Sequence, residues 1–364
     1  MTSWPVLAPV LAAGFLALKF AGILPVQATA TLIVATFFLG ASVFAAVHHA
    51  ELLALRLGEP FGSILLALAV TVIEVALIVS IMLSGVAGSE TVARDTIFSA
   101  VMIVLNGVVG LCLVLGGQKH FEQTFQLQGA SSALAVLGTL AVLALILPNH
   151  TLTIAGPFYS PLQLAIVGAM SLALWGIFVF IQAVKHRDYF LDQASDGSSD
   201  PPVHEIAPHE QPTDGAALVS LALLLVSLTA VVLLAKVLSG PLDTWVAAAG
   251  LPKVFVGVVI ATIVLLPEGI AAARSALLNR LQNSINLSIG SAIASIGLTI
   301  PAVAAVSLVL DQKLVLGISP SSTTLLVLTL FVSTLTLGTG RTTVLQGAIH
   351  LVIFGVFLLV SAVP

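Results

Sequence analysis

Residues 63–83 read SILLALAVTVIEVALIVSIML, an apolar run broken at its centre by one carboxylate, Glu74. Residues 254–273, VFVGVVIATIVLLPEGIAAA, repeat the pattern around Glu268. A helix crosses the hydrocarbon core of a bilayer in about 20 residues, and each of these runs is long enough to do so. An acid at that depth costs roughly 2.5–3.5 kcal/mol on insertion scales, so it is kept where it has a task. Two such acids, far apart in sequence, point to a path for ions or protons.

The rest of the chain has the same character. Of its 364 residues, 59% are hydrophobic and 8% charged, and the mean hydropathy is +1.16. Soluble domains carry roughly 25% charge. Lipid offers no hydrogen bonds to the backbone, so only helices and closed barrels cross it, and runs of this length suit helices. The expected fold is an all-α polytopic membrane protein with about eleven transmembrane helices. Their spans are 6–24, 29–47, 62–84, 96–116, 130–148, 161–184, 216–238, 253–273, 287–309, 321–338 and 343–363. The first has no basic n-region and no small-residue cleavage pattern after it, so it reads as a retained helix and not as a signal peptide.

Several function classes drop out. The one cysteine, Cys112, sits inside an apolar run and allows neither a disulfide framework nor a cysteine metal site. No nucleotide loop, redox motif or nucleophile triad is present, so an enzyme, a cofactor and a nucleic-acid partner have no support. The implied partners are the lipid bilayer, inorganic cations and protons.

One connection is long. It contains QASDGSSDPPVHEIAPHEQPTDG at 193–215, rich in Asp, Glu, Ser, Pro and Gly and too poor in large apolar residues to offset the entropy of ordering. It divides the chain into a first helix at 1–28, five helices at 29–184 containing Glu74, the loop at 185–215, and five helices at 216–364 containing Glu268. Glu74 is in the third span and Glu268 in the eighth. An odd offset makes the two helices cross in opposite directions, the signature of inverted repeats with a site near the midplane. Downstream spacing agrees, because Asn106 follows Glu74 by 32 residues and Thr299 follows Glu268 by 31. With a cytoplasmic N-terminus, Arg56, Lys119, Lys185, Arg187, Arg274, Arg280 and Arg341 fall on the cytoplasmic side and five basic residues on the other. That orientation satisfies the positive-inside rule and places the long loop in the cytoplasm.

Hydroxyls accompany the acids. Ser288, Ser291, Ser295 and Thr299 are spaced by three, four and four and stack on one face of the ninth span. Thr96, Ser99 and Asn106 share a face of the fourth by the same 100° arithmetic. Pro267 withdraws a hydrogen bond from the carbonyl of Ile263, leaving that oxygen free beside Glu268. Carboxylates, carbonyls and hydroxyls form an all-oxygen set suited to hard cations such as Ca²⁺ or Na⁺. Two glutamates neutralise one Ca²⁺. Without a cation the pair takes up protons, because two bare charges in a medium of low dielectric are intolerable. Protons or cation, but not both together, is the chemistry of an antiporter.

These residues also carry a resemblance. The stretches RLGEPFGSILLALAVTVIEVALIVSIML (56–83) and LLPEGIAAARSALLNRLQNSINLSIGSAIASIGLTIPAVA (265–304) resemble the bacterial calcium/proton antiporters of the cation/calcium exchanger superfamily. The likeness is strongest to the ChaA-type branch of Ca²⁺/H⁺ and sodium-potassium/proton antiporters, and it runs from about Arg56 to the C-terminus. It implies one extra N-terminal helix before two inverted five-helix repeats, in a bacterial inner membrane. The acidic ligands of the superfamily fall on Glu74 and Glu268, and its polar residues on Asn106, Asn286, Ser295 and Thr299. Thr71, Ser99 and Ser291 complete the candidate lining. The chain departs from the superfamily's Gly-Asn-x-x-Glu signature, with Val70-Thr71 and Val264-Leu265 in place of Gly-Asn. The missing amides keep Na⁺ and K⁺ open beside Ca²⁺. From another class, a cation channel or a non-transporting membrane protein remains as the rival.

Weaker candidates lie at the span ends. His48 and His49, with Glu51, Arg56 and Glu59 nearby, read as interfacial residues, and His204, Glu205, His209 and Glu210 as part of a linker. Arg94 and Asp95 begin the fourth span as an outer vestibule or a capped helix end.

Overall fold

The structure, a computed structural model, describes residues 4–23, 29–57, 61–83, 88–191 and 212–363. Eleven helical rods make up most of these residues. They are α1 (Trp4–Phe20), α2 (Thr29–Leu57), α3 (Phe61–Met82), α4 (Ser89–His120), α5 (Leu127–His150), α6 (Pro161–Lys185), α7 (Asp214–Ala248), α8 (Val254–Leu277), α9 (Leu281–Leu310), α10 (Pro320–Leu337) and α11 (Val344–Ala362). Among the described residues, nine helices are long and apolar enough to cross a membrane, while α1 and residues 68–82 of α3 are apolar but shorter.

Each rod matches one expected span, but the ends differ. α2 continues past 47 through His48, His49 and Glu51 to Leu57. α4 begins at Ser89 and α9 at Leu281, ahead of their apolar windows, and α7 runs through Pro241 to Ala248. Hydropathy marks where lipid would stop, whereas a helix continues for as long as its backbone bonds are satisfied. The added turns are the polar ones. Three starts follow local chemistry: Ser160 caps α6 with Gln163 completing a capping box, Ser319 caps α10 ahead of Pro320, and Thr343 opens α11 with Gln346.

Three rods are not plain α-helix. Ile103–Val108 in α4, Val142–Ile146 in α5 and Ile181–Lys185 in α6 are π-helical, each with a residue more per turn.

The chain divides into two units. One comprises residues 1–73 and 192–238. Within it α1 lies along α2, with the Phe15 and Phe38 rings 5.4 Å apart, and Arg56 forms an ion pair with Asp214. The loop residues His204, Glu205, His209 and Glu210, like Glu59, lie outside the described residues.

The other unit comprises residues 74–191 and 239–364. Its core is aliphatic, built on Leu105, Leu137, Leu140, Ile293, Ile296 and Ile300, with Phe357 edge-on to Phe98. Three pairings follow an exchange of helices five apart. α4 lies on α11 as α9 lies on α6, and α5 meets α10, its own counterpart. Small residues set the closest approaches. A Cβ on Gly347 of α11 would stand 2.8 Å from the carbonyl of Gly110 on α4, and one on Gly297 of α9 would stand 2.6 Å from Trp175 on α6. Close backbone approach is how helices associate where no hydrophobic force acts between them. A two-stranded clip, Gln123–Thr124 against Arg341–Thr342, joins the loop after α4 to the loop before α11.

Candidate functional site

Glu74 on α3 and Glu268 on α8 are buried, with 4% and 8% of their surface exposed. One helix meets them both. The Ser291 hydroxyl of α9 donates to Glu268 Oε2, and the Ser295 hydroxyl donates to Glu74 Oε1 at 2.6 Å. Residues four apart on a helix stand about 5–6 Å from each other on one face. The two carboxylates are therefore gathered over a single turn of α9, close enough for their charges to act on one another.

The serine stripe continues in both directions. Ser288 and Thr299 are buried and their hydroxyls have no hydrogen-bond partner. A helical hydroxyl ordinarily bonds the carbonyl four residues back, as Thr36 and Thr262 do in this chain. Thr96 on α4 is a third buried hydroxyl without a partner. Such groups retain capacity for water, a proton or a cation.

Other expected lining residues are engaged elsewhere. Ser99 donates to the carbonyl of Asp95 at 2.6 Å. Asn106 donates to Thr329 of α10 at 2.9 Å and faces His350 of α11 at 3.1 Å, so its amide is committed away from the glutamates. The cause is the π turn that contains it, which advances less than 100° per residue and carries Asn106 off the face of Ser99. Asn286 accepts from Gln282 and donates to the carbonyl of Phe190, at the polar start of α9. Thr71 is buried one turn before Glu74 on α3. α8 passes through Pro267 without a break. Proline has no N–H, so the Ile263 carbonyl lacks its usual helical donor.

The span-end residues resolve more simply. Asp95 accepts from Arg94 at 2.7 Å and from Thr91 at 2.9 Å, while Arg94 reaches the carbonyl of Gly317. This is a tied helix start. A cleft of about 370 Å³ opens at the same end, lined by Met82, Ser89, Glu90, Phe158, Lys313 and Val315. His49 bonds the Pro5 carbonyl at 3.0 Å, and the His48 ring packs beside it. Among the described residues no group of three or more His, Cys, Asp or Glu side chains is placed to hold a metal ion. A cation at the glutamates would thus rely on hydroxyl and carbonyl oxygens for its remaining ligands.

His350, Thr329 and Thr336 are buried polar residues that the sequence reading passed over. A histidine inside the apolar run of α11 was the available signal.

The sodium/calcium exchanger protein family matches residues 27–184 and 219–363. A Sinorhizobium fredii (strain NBRC 101917 / NGR234) protein, y4hA, named as a candidate ionic transporter, is 55% identical over 99% of this chain and 96% of its own length. The sodium-potassium/proton antiporter ChaA of Escherichia coli (strain K12) is 35% identical over 87% of this chain and 85% of its own. The solved structure of the Ca²⁺/H⁺ antiporter protein YfkE superposes with a TM-score of 0.73, covering 98% of this chain and all of that one, at 14% identity, a likeness of fold. The chain belongs to the sodium/calcium exchanger protein family, and is an integral membrane protein of the antiporter class.

Proposed function

We propose that the chain exports Ca²⁺ in exchange for protons by alternating access, with Glu74 and Glu268 holding either the cation or the protons. The observation that carries this reading is the pair of buried carboxylates drawn together over one turn of α9. Two carboxylates balance one divalent cation in charge. Ser291 and Ser295 supply hydroxyl oxygens to the cation, and their O–H groups turn back to the carboxylates when it leaves. The Ile263 carbonyl and the unpartnered hydroxyls of Thr299 and Ser288 offer further oxygens along the same path. Oxygen donors of this kind suit a hard cation. The surplus of Lys and Arg on one side supports an inner membrane location with the N-terminus in the cytoplasm.

A second reading is Na⁺(K⁺)/H⁺ exchange on the same scaffold. It is favoured by the 35% identity to an antiporter named for sodium and potassium, and by Thr71 and Leu265 standing where side-chain amides would add ligands.

Uptake of ⁴⁵Ca²⁺ into inverted vesicles, driven by a proton gradient and repeated with competing Na⁺ or K⁺, decides between them. Calcium uptake that collapses with the gradient supports the first reading, and ²²Na⁺ uptake without calcium uptake supports the second. Glu74→Gln and Glu268→Gln are each expected to abolish exchange while the protein still accumulates in the membrane. Lowering the pH on the cation-loading side should slow exchange, because protons compete for the same oxygens. Near-normal transport by either glutamine variant would sink the two-carboxylate mechanism.

A further inference from the structure

His350 lies two turns into α11 with 1% of its surface exposed. Its Nδ1 is 3.1 Å from Asn106 Oδ1, and its Nε2 is 3.1 Å from Thr336 Oγ1. Asn106 directs its Nδ2 at Thr329 Oγ1, 2.9 Å away, and at Met102 Sδ. These contacts assign the tautomer. The amide oxygen only accepts, so Nδ1 carries the proton and Nε2 accepts from Thr336. Thr329 can pass its own hydroxyl proton toward Met102 Sδ at 3.5 Å. Every polar atom of the cluster then has a partner, and the imidazole has one orientation.

The place of this cluster gives it consequence. Asn106 sits inside the π turn Ile103–Val108 at the middle of α4. Unusual backbone of this sort persists where its surroundings over-determine it. Two residues on, the Val108 side chain covers the backbone of α8 beside the carboxylate. A Cβ on Gly269 would meet Val108 Cγ2 at 3.3 Å, and Gly269 directly follows Glu268. The root of the histidine is packed closely on α4, because a Cβ on Gly110 would lie 2.9 Å from His350 Cβ. The line from imidazole to amide to π turn to Val108 to the turn of Glu268 is continuous contact.

We propose that His350 is a positioning residue of the transport site, holding the π turn of α4 through Asn106 and so keeping Val108 seated against the Glu268 turn of α8. This rests on the reading of Glu268 as a cation ligand. Without the imidazole, the Asn106 amide is released, α4 relaxes toward regular α-helix, and the wall beside Glu268 shifts. Binding should suffer more than turnover.

The test uses the full chain in proteoliposomes, with Ca²⁺ and Na⁺ each offered as the probe. His350→Ala should raise the half-saturating cation concentration roughly tenfold with a maximal rate within about twofold of wild type. His350→Gln, whose amide can still donate to Asn106, should recover most of the loss. Thr329→Val, close in shape and lacking only the hydroxyl, should raise half-saturation about threefold, in line with one hydrogen bond. A wild-type half-saturation in His350→Ala, or a fall in maximal rate alone, overturns the proposal. If His350→Ala fails to accumulate, a wild-type value in Thr329→Val overturns it equally. Exchange by wild type, loss in Glu268→Gln and indifference to His350 would remove this inference and leave the function standing. A wild-type protein that exchanges neither cation removes both.

Discussion

Ser291 and Ser295 show how little chemistry the candidate site would need once its backbone is placed. Each is a single hydroxyl on a regular helix, and each faces a carboxylate from a different helix. Alanine keeps the helix and removes the donor, so Ser291→Ala and Ser295→Ala should each weaken half-saturation by roughly 2–10-fold, the value of one hydrogen bond. Transport assays on proteoliposomes give the ratio, and unchanged values for both would detach α9 from the site. Tyr159, between α5 and α6, offers a pH test outside the spans. Its hydroxyl donates to the carbonyl of Leu143 at 2.6 Å, and burial pushes its pKa from the ordinary 10.0 up to about 12. The folded chain keeps this proton where the unfolded chain loses it. The contribution to stability is whole below about pH 10 and is lost as pH rises toward 12. In a Tyr189→Phe background, tyrosinate absorbance should appear only at the upper end of that window. The glutamates and serines were legible from sequence because residue type and a 3.6-residue period spell them out. Asn106 was legible as a polar residue but not in its direction, since nothing in IVLNGV announces a π turn. His350 satisfied the rule that found the glutamates and was passed over beside them.

At the level of elements, the eleven rods follow from apolar run length, and their ends do not. SETVARD ahead of the α4 window and LQNSIN ahead of the α9 window are polar and helical, which hydropathy cannot signal. The two-residue clip between Gln123–Thr124 and Arg341–Thr342 pairs segments that only the folded chain brings together. The contact of α4 with α11 depends on glycine at the crossing. A Cβ on Gly347 would lie 2.7 Å from the amide nitrogen of Val114, a backbone atom that cannot swing aside. Gly347→Ala should therefore cost about 1–3 kcal/mol, as overpacking of a close contact does. A lowered melting temperature in detergent would show it. An unchanged one would mean that the two helices can separate without penalty.

On the scale of the molecule, the offset of five spans between Glu74 and Glu268 gave the repeat, and the packing of α4 on α11 and α9 on α6 obeys it. What the spacing could not reveal is that the two halves are lined differently. α9 offers hydroxyls to both glutamates, while on α4, its counterpart in the exchange, Ser99 turns to its own backbone and Asn106 to α10 and α11. On the proposed alternating-access mechanism, a frame with two-fold character but a one-sided lining would act as a kinetic rectifier. If the proposed site opens to each aqueous phase in turn, with α9 as its wall on one side and α4 on the other, the grip on the cation differs between the two faces. Half-saturating cation concentrations measured in right-side-out and inside-out vesicles should therefore differ by about threefold or more, a fraction of a hydrogen bond to a charged group. Equal values from both sides would mean that the serine pair travels with the cation through the whole cycle, and that the asymmetry of the lining is silent in transport.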